Sequence, residues 1–119
     1  MPLSKFKPRA EPCVYDAEDD THRYTVRRVR NYWNLSVREL VVTAGVRHTL
    51  GQEVVAYTDH DTLKLCAAVA RQYSDLGNDY QPHEHGHRRR MTEAILRAYD
   101  ADRAAAQARH ARAAGKSEQ

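Results

Sequence analysis

Between Ser36 and Tyr57 the apolar residues are grouped rather than evenly alternating, and short polar and small residues punctuate them. Ser36 followed by Glu39 has the spacing of a capping box, in which the hydroxyl accepts from a first-turn amide and the carboxylate reaches back to the Ser36 amide. Leu40 and Ala44 lie four apart and share one helical face. Gly45 stands where a helix ends in a left-handed residue, and Val46 returns to the core. Thr49 to Gln52 repeats the cap spacing and opens a second short segment, Glu53 to Tyr57. The pattern predicts a mainly α fold: a small helix-turn-helix domain with an irregular N-terminal arm and a long C-terminal helix. An α+β alternative reads the same residues as a short β-meander at 37–58. There, β-branched Val37 to Thr43 turns at Ala44-Gly45 and returns through Val46 to Leu50, with Glu53 to Thr58 following. The run Leu40-Val41-Val42 does not alternate, and this favours the helix.

Four zones follow from the rest of the pattern. Residues 1–20, with Pro2, Pro8 and Pro12 and little periodicity, read as an irregular arm in which Cys13 to Tyr15 could pair with Tyr24 to Val26. Residues 21–73 form the expected helix-turn-helix-like core, its interior drawn from Tyr24, Val29, Trp33, Leu35, Leu40, Val46, Val54, Leu63, Ala67 and Ala70. Residues 74–90 read as a His/Arg-rich loop. Residues 91–119 read as a C-terminal helix and tail, rich in Ala and Arg, whose only large apolar stripe is Met91, Ile95 and Tyr99.

Residues 26–70 resemble the Cro/cI-type (xenobiotic-response-element) helix-turn-helix repressors of bacteria and phages. The resemblance rests on Leu35-Ser36, Glu39-Leu40, Ala44-Gly45-Val46 and the closing run Asp61 to Ala70. Val41 stands where the family usually has Ala, and Gly51 where a branched apolar residue normally seats the second helix. The implied function is a small DNA-binding transcriptional regulator acting on double-stranded DNA as a homodimer. Arg47, His48, Thr49 and Gln52 are donors placed to reach base edges, and Arg27, Arg28 and Arg30 to reach phosphates.

Charge and composition fit this reading without requiring it. The 119-residue chain carries a formal net charge of +3. An acidic segment, Asp16 to Asp20, precedes a basic one at Arg23, Arg27, Arg28 and Arg30. The length suits one modest core. Two cysteines are too few for a disulfide framework, the N-terminus lacks an apolar signal region, and no run is long enough to span a membrane, so a cytoplasmic protein is expected. No nucleophile elbow, phosphate loop or Cys-x-x-Cys is present, so neither an enzyme nor a cofactor is expected. His83, His85 and His87 alternate in the loop and are weak metal candidates, because their spacing matches neither a zinc finger nor a metalloprotease helix. From another functional class comes a small protein-binding inhibitor or adaptor of a mobile element. It would use the C-terminal helix or an aromatic patch of Tyr32, Tyr57 and Tyr73 and would not bind DNA.

Overall fold

Residues 2–77 and 84–117 are described by the computed structural model. Five strands come first: β1 (Lys7–Pro8), β2 (Val14–Glu18), β3 (His22–Val29), β4 (Tyr32–Thr43) and β5 (Val46–His60). Two helices follow, α1 (Leu63–Leu76) and α2 (Glu84–Ser117). The strands form one antiparallel meander in the order β1-β2-β3-β4-β5. This is an α+β fold, and it overturns the mainly α helix-turn-helix reading, including the irregular N-terminal arm, since β1 and β2 belong to the sheet. The α+β alternative names the right class, but the meander extends well beyond 37–58 and takes in residues 7–60.

The sheet follows from two stretches of strict alternation. His22, Tyr24 and Val26 on β3 are buried, and Leu35 and Val37 on β4 are buried with Trp33 packed beside them. Arg23, Thr25 and Arg27 lie between the first set, and Asn34, Ser36 and Arg38 between the second, all pointing to the other face. That period of two gives each strand one apolar and one polar side. Tyr24 faces Val37 and Val26 faces Leu35 across the ladder, so the apolar sides coincide. The capping-box spacing of Ser36 and Glu39 puts these two residues on opposite faces. Ser36 donates from Oγ to the Glu53 carboxylate at 2.7 Å, whereas Glu39 sits opposite His22.

Both helices cover the apolar face. Thr62 caps α1 by accepting from the Leu65 amide at 3.1 Å, and Cys66, Val69, Ala70 and Tyr73 make its buried stripe at helical spacing. Met91, Ala94 and Ala98 of α2 pack on the same core. Cys66 and Ala70 on α1 and Ala94 and Ala98 on α2 are the small residues of this shared core. Of the expected interior, Tyr24, Leu35 and Ala70 are fully buried, while Val29 and Val46 are 42% and 63% exposed.

β4 and β5 run past the rest of the sheet as a two-stranded arm. Leu35 faces Thr58 and Thr43 faces Val46, so residues 35–43 are matched by the longer stretch 46–58, and the surplus is absorbed in register shifts along the way. Such bulges twist an edge strand and blunt it against pairing with other chains. The arm closes on Ala44 and Gly45, with φ of 51° and 81°, the positive values that a two-residue hairpin turn requires. Gly45 is therefore left-handed, as its sequence position suggests, but it turns a hairpin and does not end a helix. Gly45→Val is expected to cost the arm about 1–3 kcal/mol, and Ala44→Asn to stabilise it by about 0.5–1 kcal/mol by easing the left-handed penalty on alanine. Amide exchange at Val42 and Val46 reads both effects. Unchanged exchange in Gly45→Val would show that the turn does not hold the arm.

Candidate functional site

Where the β2–β3 turn meets the C-terminal end of α1 and the start of α2, a group of polar side chains is buried together. Asp19, 5% exposed, organises it. Its Oδ1 accepts from the amides of Thr21 and His22 at 2.9 and 2.8 Å, the local turn that Asp favours. Its Oδ2 accepts from the Tyr24 hydroxyl at 2.6 Å and from Ser74 Oγ at 2.7 Å, tying the sheet to α1. Burial alone would raise the Asp19 carboxyl. The bonds from Tyr24, Ser74, Thr21 and His22 outweigh that effect and hold it below its ordinary 3.8.

A second layer is built on aromatic rings and a buried guanidinium. Arg90, 2% exposed, donates from Nε to the Tyr73 carbonyl at 2.7 Å and lies 4.0 Å from the centre of the Tyr73 ring. The Tyr73 hydroxyl is 2.8 Å from His87 Nδ1. Burial pushes the Tyr73 phenol up to about 12 and the Tyr24 phenol higher still, so both stay protonated. His22 stands at the centre, with its ring edge-on to Tyr73 and to His87 at 6.1 Å.

Thr21 links the Asp19 carboxylate to the His22 ring. Thr21 Oγ1 lies 3.2 Å from Asp19 Oδ1 and 2.7 Å from His22 Nδ1. When the hydroxyl donates to Asp19, which can only accept, its oxygen is left to accept from His22 Nδ1–H. In that arrangement the lone pair is on Nε2, which is buried and has no hydrogen-bond partner among the described residues. Within the sequence, the Asp-x-Thr-His spacing and the alternation of His22, Tyr24 and Val26 are the only traces of this cluster. Its long-range members, Ser74 and Arg90, leave none.

Two buried histidines make stability depend on pH. Burial lowers the His22 imidazole below 6.5; Asp19 and Glu39 oppose the shift, and Arg90 and His87 reinforce it. Burial also lowers His60, against Asp59 and Asp61. With the folded values depressed, the unfolded chain takes up protons first. Stability is therefore full above 6.5 and declines as pH falls from there through the folded values. Urea unfolding between pH 7.5 and 5 should show this decline, reduced in His22→Gln. A flat profile would contradict the burial of neutral imidazoles.

The opposite face of the sheet is polar, and among the described residues no helix covers it. Thr25, Arg27, Val29, Asn34, Ser36, Arg38 and Glu53 line a shallow groove of about 280 Å³ there. Its charges are largely engaged: Arg38 lies 3.7 Å from Glu53 and Arg27 lies 3.8 Å from Glu11.

The residues expected to touch DNA are dispersed. Arg47, His48, Thr49 and Gln52 lie along β5, not on a helix. Arg47 is drawn back to the Glu18 carboxylate at 3.5 Å and the Asp19 carbonyl at 3.2 Å, and His48 Nε2 is 2.9 Å from Thr43 Oγ1. Arg27 and Arg28 are on β3. Arg30, with φ of 56°, is in the β3–β4 turn and accepts at its carbonyl from Arg28 Nε at 3.3 Å. Of the aromatic patch, Tyr73 is buried and Tyr32 is 51% exposed, so the structure does not bring these two together on one surface; the Tyr57 side chain lies outside the description. His83 and the side chain of His85 lie outside it too, whereas His87 is on α2.

Among the described residues, no group of three or more His, Cys, Asp or Glu is arranged to hold a metal ion, and no helix is long and apolar enough to cross a membrane. Burial pushes the Cys66 thiol up to about 12, which makes it an inert core residue. No family model, curated protein or solved structure matches the chain.

Proposed function

We infer that this chain is a small protein-binding module, of the adaptor or inhibitor kind, which presents the outer half of α2 to an acidic protein surface. One observation carries the reading: residues 101–115 of α2 are exposed throughout, beyond the part that packs on the core. At 1.5 Å per residue the 34-residue helix is about 50 Å long, in a molecule whose longest extent is 64 Å. An exposed helical segment of about 15 residues is marginal in water on its own, and its Ala and Arg content favours keeping the shape without a core beneath it. Ala101, Ala104, Ala108 and Ala111 share one side and leave the backbone accessible to close approach. Within residues 101–115, Arg103, Arg109 and Arg112 stand against a single acid, Asp102. A basic, small-faced rod complements an acidic surface and would be steered to it electrostatically. Free Cys13 and Cys66 support placing the module in a reducing, cytoplasmic setting.

Duplex DNA is the occupant against which this reading is tested. The DNA-binding expectation depended on an exposed recognition helix, and its base-contacting residues lie on a strand with Arg47 already engaged. Cross-linking in lysate of the source cell should capture a defined protein with the intact chain. The capture should be lost on charge reversal of Arg103, Arg109 and Arg112. Binding of the intact chain to random duplex DNA that weakens steeply with salt, without such a protein partner, would overturn the reading in favour of a nucleic-acid binder.

A further inference from the structure

The groove on the open face of the sheet, about 280 Å³ in volume, lies away from the outer half of α2 and is ordered by the cross-strand register. Thr25 faces Ser36 at its middle, Arg27 faces Asn34 in the next row, and Val29 faces Tyr32 at one end. Arg38 faces Glu53 at the other end. Rows two residues apart on a strand are about 7 Å from one another. Val29 is 42% and Tyr32 51% exposed, so the groove runs from a small apolar platform to a charged pair across a floor of two hydroxyls.

The hydrogen-bonding capacity of this surface is mixed, and its charge is balanced. Arg27 stands 3.8 Å from Glu11, and Arg38 stands 3.7 Å from Glu53. Each cation already has its acid, and an anionic ligand would be set against those same carboxylates. The pairs still leave guanidinium N–H groups to donate. Ser36 and Arg38 both approach Oε1 of Glu53, which leaves Oε2 to accept from a ligand. The Thr25 and Ser36 hydroxyls donate to Asp16 and Glu53 at 2.8 and 2.7 Å and keep lone pairs that can accept. Asn34 adds an unmet need: its Oδ1 is buried and has no hydrogen-bond partner among the described residues. Native structures retain few such acceptors. The last torsion of an asparagine side chain is soft, so the amide can turn and offer that oxygen to the groove.

From this geometry we propose that the groove binds a neutral, hydroxyl-rich ligand: a hexose ring, free or at the end of a chain. A sugar hydroxyl both donates and accepts, which matches a surface that mixes guanidinium donors, carboxylate and hydroxyl acceptors and an amide that is both. The C–H face of the ring would lie on Tyr32 and Val29, where the phenol supplies a flat apolar surface with a polar tip. The volume is just below the roughly 300–1,000 Å³ of pockets that enclose drug-sized ligands, and the groove is shallow, so it holds one ring and leaves the rest of a chain in solvent.

The test is a nuclear magnetic resonance titration of the intact chain with glucose, galactose, mannose, maltose and lactose, with inorganic phosphate and adenosine monophosphate as anionic probes. At least one of the sugars should give saturable shifts of the Asn34 side-chain amide and of the Thr25 and Ser36 backbone amides. A disaccharide that binds much more tightly than its monosaccharides would mark a chain as the natural source, and equal binding a free sugar. Tyr32→Ala and Asn34→Ala should each weaken binding about 3- to 10-fold, the worth of one contact or hydrogen bond. Leu96→Ala, at an exposed position of α2, and charge reversal of Arg103, Arg109 and Arg112 should leave it unchanged, which separates this site from the α2 surface. The Asn34 resonance is read in the native sequence and does not depend on any variant folding. Absence of saturable shifts with all five sugars would overturn the proposal. So would shifts of these groups with phosphate or the nucleotide alone, the sign of an anion site.

Discussion

Asp19→Ala is expected to cost about 3–5 kcal/mol, a large fraction of the stability of a domain this size. The magnitude follows from the number of donors that one carboxylate serves. The amides of Thr21 and His22 and the hydroxyls of Thr21, Tyr24 and Ser74 all converge on it. Alanine would leave several of them buried and unpaired, at about 1–3 kcal/mol for each fully desolvated group, reduced where water can enter. Tyr24 has no exposed surface, so its hydroxyl cannot turn to solvent. Ser74→Ala removes a single bond of the set and should cost about 1 kcal/mol. Asp19→Asn keeps one acceptor and should fall between the two. Urea melts of the three variants at neutral pH should give that order. An Asp19→Ala loss below about 1 kcal/mol would mean that the cluster is incidental to folding.

What could be read from residues alone divides along physical lines. The Ala- and Arg-rich C-terminal helix was legible because composition and a short apolar stripe suffice to predict it. Gly45 was legible as a left-handed residue, but hairpins and helix ends both want one there, and spacing cannot choose between them. The error at Ser36–Glu39 has a similar origin. A three-residue spacing fits a capping box, and it equally fits two strand residues on opposite faces. The deciding pattern lay upstream, in His22, Tyr24 and Val26 and then Trp33, Leu35 and Val37, where apolar and polar residues alternate strictly. Leu40-Val41-Val42 obscured it. Those residues belong to the arm beyond the core, where no buried face imposes alternation, and Val42 is 68% exposed. The departures from the repressor pattern at Val41 and Gly51 also fall in β4 and β5. Buried polar groups were the least legible part. Arg90 reads as one of three surface arginines, and only the packing of α2 on Tyr73 takes it inside.

The largest effect is expected from cutting α2, and the result depends on where the cut falls. Ending the chain after Ala101 removes only residues that are exposed or outside the description, so the melting temperature and oligomeric state should be preserved while capture of an acidic partner is lost. Ending it before Met91 removes Met91, Ala94 and Ala98, all buried, together with Ile95 packed beside them. Cys66, Val69 and Tyr73, fully buried in the intact chain, would lose their cover on the α2 side. Burying a side chain such as Met91 contributes about 1.5–3 kcal/mol, and the uncovered α1 stripe adds to the loss, so this truncation should not fold. Circular dichroism, thermal melting and light scattering of the two truncations separate the roles. Unfolding or a changed mass on the shorter deletion would show that residues 102–119 hold the fold or an assembly of like subunits together, and α2 could not then be divided into a packed half and a free one.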